Sequence, residues 1–385
     1  MISKIKAGNF KCLKDFEIKT RMLTVLAGLN SSGKTSVAQV LKCLGECVRR
    51  TEGELSRVKF NSEELALGTA GNVYCQFNDD PDATVSLVVE TTDAKGEVAQ
   101  AGFSFVYEES LAGQETMELA CTDQEHTSAE EDLKRTMLRI RHLRADRVGA
   151  KVLHDYSEPA VAEHDVGMHG QYAVANLCVH REDPVDRLLL RAGEDGVQIK
   201  NNLESQVNAW LQTISGGVSA KTDKVEGADK VTLNFTYEYE GRKRTFSPEN
   251  VGIGLSTVLP VIVMVLMSKP GDVLILEDPE SDLHPRGQAE LAAFIARAVK
   301  AGIQIFVETH SDHIVNGIRL AVAKGVLTQD KVLFQFIRRP GVFTEAQPIE
   351  VDRFGELSDY PKQFLDEWGD LLGQIMERRD ADLAE

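Results

Sequence analysis

The chain has 385 residues, 42% of them apolar, enough to bury a large core and to build two or three structural units. Its 43 basic and 60 acidic side chains leave a formal charge of −17, which argues against nucleic-acid binding driven by overall charge. The six cysteines contain no C-x-x-C pair and no histidine at zinc-finger spacing, so they read as reduced, mostly buried thiols of a cytoplasmic protein.

In chain order, the first 27 residues alternate apolar and polar, as in Ile2-Ser3-Lys4-Ile5-Lys6 and Phe16-Glu17-Ile18-Lys19. This predicts short antiparallel strands leading into an apolar strand, Leu23 to Ala27. Next comes Gly28-Leu29-Asn30-Ser31-Ser32-Gly33-Lys34-Thr35, a complete G-x-x-x-x-G-K-[ST] phosphate loop, and Ser36 to Leu44 then shows helical apolar spacing. Such a loop curls successive backbone N–H groups around phosphate oxygens, where side chains at Gly28 and Gly33 would obstruct. Asn30, Ser31, Ser32, Gly33, Lys34, Thr35 and Ser36 are therefore the candidate cradle for a nucleoside triphosphate. Lys34 reaches the β and γ phosphates, Thr35 takes one Mg²⁺ position, and the helix start adds its own positive end.

From Asn72 to about Ala120 further alternating runs, including Thr84 to Glu90 and Gly102 to Tyr107, predict a β-meander beside this loop. Arg139, Arg141, Arg144 and Arg147 offer a local basic groove or, equally, a salt-bridged strand edge. Residues 150–229 are polar and helix-tolerant, with an amphipathic stretch from Leu203 to Ile214 but no sustained heptad, which predicts a compact helical insertion. Strand pattern returns from Val231 to Tyr239, and helix and strand alternate from Val251 onward. The longest apolar run, Val258 to Met267, is too short to span a bilayer, so no membrane association is expected. The resulting organisation is an N-terminal lobe (1–149), an insertion (150–229), a C-terminal lobe (230–340) and a β/helical extension (341–385).

The later motifs sharpen the site. Val273-Leu274-Ile275-Leu276-Glu277-Asp278 is a buried-strand run ending in two acids, at the strand end where parallel α/β sheets bind ligands. Glu277 is the candidate Mg²⁺ holder, and Asp278 the candidate group that orients the attacking water. A second strand, Ile303 to Val307, delivers Glu308-Thr309-His310-Ser311 to the same sheet edge, with His310 aimed at the γ-phosphate region and His313 read as structural. Asn250, Gly252 and Gly254 open a helix and make another anion-binding N-terminus.

The order of phosphate loop, glycine-bearing helix start, Leu-Glu-Asp-Pro-Glu-Ser-Asp-Leu-His-Pro and Glu-Thr-His-Ser resembles the ABC-type ATPases of the SMC, RecF and OLD-like group, over residues 1 to about 60 and 230 to 340. The resemblance implies an α/β fold: an ABC-type P-loop NTPase head with an antiparallel meander lobe, a mixed core sheet and a helical insertion. It places Asn250, Gly252 and Gly254 at the signature, Glu277 at the Walker B acid, Asp278 at the catalytic acid, His284 at the D-loop and His310 at the switch. It also implies a homodimer around two ATP molecules and Mg²⁺, and leaves assembly beyond the dimer open.

Asn9-Phe10-Lys11, Val251 to Pro260, Phe354-Gly355-Glu356-Leu357, Tyr360-Pro361 and Phe364-Leu365-Asp366-Glu367 look like small OLD-like ATPases of bacterial antiphage clusters, relatives of the Septu, PARIS and Gabija subunits. The arginine segment around Arg147 resembles one that recurs there. The sequence departs from the group in lacking the Leu-Ser-Gly-Gly-Gln signature and in placing Asp278 where Glu or Gln is usual, with Glu280 as the alternative base. About 75 residues follow His310 without the acidic clusters of a Toprim domain, so intrinsic nuclease activity is not expected. The expected function is a slow Mg²⁺-dependent ATPase serving a protein effector encoded nearby. A DNA-repair clamp and an ATP-bound scaffold with little hydrolysis are the alternatives.

Overall fold

The N-terminal alternation forms a hairpin, β1 (Ile2–Phe10) with β2 (Leu13–Lys19), in which Ile5 opposes Ile18 on the buried face. The computed structural model describes residues 1–52, 57–62, 65–78, 84–107, 112–122, 128–193, 198–362, 364 and 373–376. β3 (Leu23–Ala27), buried at every residue, leads through the glycine loop into α1 (Lys34–Glu52). β4 (Arg57–Lys59) and the single turn α2 (Ala70–Val73) precede the meander β5 (Thr84–Thr92), β6 (Val98–Val106) and β7 (Thr116–Thr122). Together these strands make an antiparallel sheet in the order β2-β1-β5-β6-β7-β4.

After α3 (Ser128–Leu138) comes a short strand, β8 (Ile140–Leu143). The predicted insertion is only partly helical. It contains β9 (Leu153–Asp155), α4 (Glu158–Ala162), α5 (Ala173–Val179) and α6 (Leu203–Ser215), then β10 (Val218–Lys224). β10 pairs along its whole length with β11 (Lys230–Tyr239), which also holds β9 and β12 (Arg242–Phe246). Val218, Ala220 and Thr222 face inward from β10, so a period of two, too short and too weakly apolar to stand out in the sequence, sets this strand.

The C-terminal half alternates as expected: α7 (Ile253–Met267), β13 (Val273–Glu277), α8 (Pro285–Lys300), β14 (Gln304–Thr309), α9 (Asp312–Ala323), β15 (Val332–Arg338) and β16 (Glu345–Ile349). The central sheet runs β16-β15-β3-β14-β13-β8, parallel except for β16. α7 is buried from Gly254 to Leu266, as a helix that is apolar on all sides must be. One core packs α1 and the antiparallel sheet on one face of the central sheet, and the other packs α7, α8, α9 and the insertion helices on the opposite face. Gln304 ties the two lobes: its buried amide accepts from the Ile2 N–H at 2.8 Å and donates to the carbonyls of Ile2 and Arg21 at 2.7 and 3.0 Å.

Arg319 of α9 anchors the C-terminal extension through Gly355 O at 2.7 Å and the Tyr360 hydroxyl at 3.0 Å. Leu365, Asp366 and Glu367 lie outside the described residues. Cys43, Cys47, Cys75 and Cys178 are buried, and Cys12 is half-buried. Among the described residues no helix is long and apolar enough to cross a membrane.

Candidate functional site

Parallel pairing brings the ends of β3, β14 and β13 side by side, with Thr309 opposite Ala27 and Glu308 opposite Glu277. The glycine loop therefore faces the acidic pair and the Glu-Thr-His-Ser segment across one sheet edge. Gly28 and Gly33 adopt φ of 150° and 106°, and Ser31 takes a left-handed φ of 61°. A Cβ on Gly28 would sit 2.1 Å from Ile337 O, and one on Gly33 2.4 Å from the Thr344 hydroxyl, so both positions require glycine. Thr344 fixes the loop by donating to Ser32 O at 2.8 Å. The Ser32 hydroxyl is buried without a partner, as a group aimed at a ligand would be.

The Lys34 ammonium folds back onto the carbonyls of Gly28 and Leu29 at 3.0 and 2.8 Å. Burial lowers its pKa, opposed by Glu308 and Asp278. The Thr35 hydroxyl donates to Glu308 Oε1 at 2.8 Å, and Glu308 Oε2 is buried with no partner. Burial raises the Glu308 pKa to about 7, with Glu277 adding to the rise and Thr35 and Lys34 opposing it. Asn30 and Ser31 lie on the exposed part of the loop, and the Ser36 hydroxyl accepts from the Cys12 thiol at 3.5 Å. A cavity of about 620 Å³ opens over Ser31, Lys34, Thr35 and Glu308 and extends to Tyr74 and Phe77.

Glu277 is held from behind. Its Oε1 meets His142 Nε2 at 2.7 Å, and its Oε2 accepts from Ala145 N at 3.3 Å. Asp278 adopts a left-handed φ of 40° and leaves Oδ1 buried without a hydrogen bond. Burial raises its pKa, while His310 and Lys34 pull it down, which places both side chains in its field. The His310 pKa is lowered by burial first and then by Lys34. Glu280 is differently employed: it is buried and accepts the Thr309 hydroxyl, so it braces β14. Asp278, His310, Lys34, Thr35, Glu277 and Glu308 thus share one site, and an unpartnered carboxylate oxygen beside a hydroxyl is a donor set suited to Mg²⁺.

Asn250, Gly252 and Gly254 stand elsewhere, around the start of α7. Asn250 and Gly252 are exposed and Asn250 donates to the Ser247 hydroxyl at 2.8 Å, while Gly254 packs so closely on Asp282 that a Cβ would meet its carbonyl at 2.5 Å. His284 caps α8, accepting from Arg286 N at 3.3 Å, and His313 lies 3.6 Å from Asp312.

The four arginines form no single groove. Arg144 pairs with Asp146 at 3.0 Å, Arg141 donates to His164 O at 3.3 Å, and Arg139 donates to Pro270 O at 3.4 Å. Arg147 is buried and donates to Arg144 O, Glu277 O and Asp278 O at 3.0, 2.8 and 2.7 Å. It clamps the turn on which Asp278 sits. Replacing Arg147 with alanine leaves these carbonyls without their donor, and is expected to lower stability by about 3 kcal/mol in denaturant titration.

The residues missed in the sequence were His142, whose partner lies 135 positions away, and Glu308 as a group bonded to Thr35. Glu308 was visible as a strand-end acid. Nothing near His142 in the chain marks it.

Comparison with known proteins places this geometry. Residues 23–316 match the family described as "AAA domain, putative AbiEii toxin, Type IV TA system", and residues 327–375 match a protein family of unknown function, DUF3696. No curated protein sequence matches the chain. An SMC head bound to the C-winged helix domain of ScpA is 12% identical, with a TM-score of 0.52 over 91% of this chain and 98% of that one. An SMC head with an extended coiled coil, bound to the C-terminal domain of ScpA derived from Pyrococcus furiosus, gives the same identity and TM-score over 97% and 99%. The SMC head from Thermotoga maritima is also 12% identical, with a TM-score of 0.44 over 91% and 99%. The likeness is one of fold, that of an ABC-type ATPase head. By its matching residues the chain belongs to the AAA-domain family so described.

Proposed function

We infer that this protein is a Mg²⁺-dependent ATPase that closes into a homodimer around ATP and acts as the sensor or regulatory subunit of a partner effector in bacterial antiphage defence. The observation that carries the ATPase reading is the Thr35–Glu308 pair facing the unpartnered Asp278 carboxylate beside Lys34 and His310. Thr35 and Glu308 would hold Mg²⁺, with Glu277 behind them fixed by His142. The ion would supply charge neutralisation on the phosphoryl oxygens. Asn30 to Ser36 present backbone N–H groups to phosphate, and Lys34 leaves its two carbonyls to reach the same oxygens. Asp278 orients the attacking water and His310 donates toward the γ-phosphate. Glu280, committed to Thr309, is the weaker choice of base.

Asn250 and Gly252, exposed at the start of α7, are free to face a second copy, which supports a composite site and a homodimer. The description of the family, with its toxin and type IV toxin–antitoxin system, supports a defence setting. Closure on ATP and release on hydrolysis would make the protein a population switch.

The test is size-exclusion chromatography with light scattering, with Mg²⁺ and saturating ATP. Asp278→Asn is expected to accumulate a lasting ATP-bound dimer and to lose about 100-fold in single-turnover hydrolysis. Monomers at saturating ATP in both proteins overturn dimer closure, and equal hydrolysis rates overturn the role of Asp278. Expressing the native gene neighbourhood in a phage-challenged host tests the defence setting, which falls if plaque counts ignore the variant.

A further inference from the structure

The insertion carries a cluster of side chains that takes no part in the nucleotide site. His164 follows α4 in a left-handed conformation with φ 56°, His180 caps the end of α5, and Asp183 lies three residues on. One ligand atom from each lies within 4.8 Å of the others. The two imidazoles stack with centroids 4.3 Å apart and planes inclined by 23°.

His180 is oriented as metal-binding histidines are. Its Nε2 faces Val161 O at 3.0 Å and its Nδ1 faces Asp183 Oδ2 at 2.9 Å; carbonyl and carboxylate both only accept, so without an ion both ring nitrogens donate. The carbonyl anchors the remote nitrogen and fixes the ring, and an ion would take the place of the Nδ1 proton between imidazole and carboxylate. No hydrogen bond engages the His164 ring nitrogens among the described residues.

We propose that His164, His180 and Asp183 form a binding site for a divalent transition-metal ion of the zinc class, with two imidazole nitrogens, one carboxylate oxygen and a fourth position open to water. Two nitrogens and one oxygen suit zinc or cobalt, and tetrahedral bonds of about 2 Å need ligand atoms roughly 3.3 Å apart. Because imidazole lone pairs lie in the ring plane and the two rings are stacked, ligation requires His164 to turn out of the stack and the exposed Asp183 side chain to rotate toward the same ion.

The position gives the ion a consequence. The segment after His164 supports the arginine loop: Met168 O accepts from Arg144 N, and His169 O from Val148 N, both at 2.8 Å. An ion joining the end of α4 to the end of α5 would stiffen the support of Arg147.

The test uses the full chain, stripped with chelator and free of nucleotide, titrated with Co²⁺ and then Zn²⁺. One Co²⁺ per chain is expected, with the visible absorption of a four-coordinate ion, displacement by Zn²⁺ and a rise in Tm of about 3–5 °C. The signal is expected to vanish in His180→Ala and Asp183→Asn and to persist in Lys34→Ala, which separates this site from the nucleotide site. Thermal transitions in chelator show which variants fold, and His164→Gln decides if either of the others does not. A wild-type protein without the absorption, or a signal retained in the folded variants, overturns the proposal and leaves His180 and Asp183 as a simple ion pair.

Discussion

Lys34→Ala is expected to abolish ATP binding at concentrations that saturate the wild type. The ammonium is buried, with Glu308 and Asp278 as acids in its field, and it rests on the Gly28 and Leu29 carbonyls. A triphosphate would exchange those neutral acceptors for charged oxygens. Truncating one member of a buried charge-assisted pair costs about 3 kcal/mol, close to 100-fold in affinity. The measurement is equilibrium binding of a fluorescent ATP analogue, paired with thermal melting. The apo melting temperature should stay near that of the wild type, because Leu29 is exposed and Gly28 half-buried, so water can reach the freed carbonyls. The ATP-induced rise in Tm should disappear. Tight binding retained in the variant would falsify the assignment of the loop.

The site was legible where chemistry is local in sequence and obscure where it depends on pairing. Gly28 to Thr35 could be read directly because backbone curvature demands glycine at Gly28 and Gly33, and the structure shows Cβ clashes at both. The strands of the central sheet were equally plain, since β3, β13 and β14 are built on runs of Leu, Val, Ile and Phe and are buried at every residue. β8 escaped notice: only four residues long, with Arg141 and His142 inside it, it reads as a polar edge, yet it pairs with β13 and delivers His142 to Glu277. β10 escaped for the same reason, its alternation being carried by alanine and threonine. Arg147 looked like a member of a basic patch because sequence reports charge and not direction; its guanidinium points inward at three carbonyls. The same limit applies to the acids. Glu277, Asp278, Glu280 and Glu308 are alike in composition, and only their partners, His142, none, Thr309 and Thr35, distinguish their tasks.

Glu308→Gln is expected to separate stability from activity. In the folded protein the carboxyl is raised from 4.5 to about 7, so it is neutral in both folded and unfolded chains at low pH. As pH rises above 4.5 the unfolded chain releases this proton first, and the stability contributed by Glu308 is lost up to about pH 7. A displacement of that size corresponds to ~3 kcal/mol, and glutamine, which can still accept the Thr35 hydroxyl but cannot ionise, avoids it. Without nucleotide, the variant should therefore be more stable than the wild type at pH 8, and the difference should close below pH 4.5.

Hydrolysis should move the other way. A neutral amide is a poor Mg²⁺ ligand, and activity should fall by at least the ~100-fold that loss of an outer-shell partner of a metal costs. Higher Mg²⁺ should restore part of it. Denaturant titrations across pH 4 to 8, beside single-turnover rates at several Mg²⁺ concentrations, measure both effects. Unchanged hydrolysis in a stabilised variant would shift the metal role back to Glu277, with His142 as the residue that holds it in place.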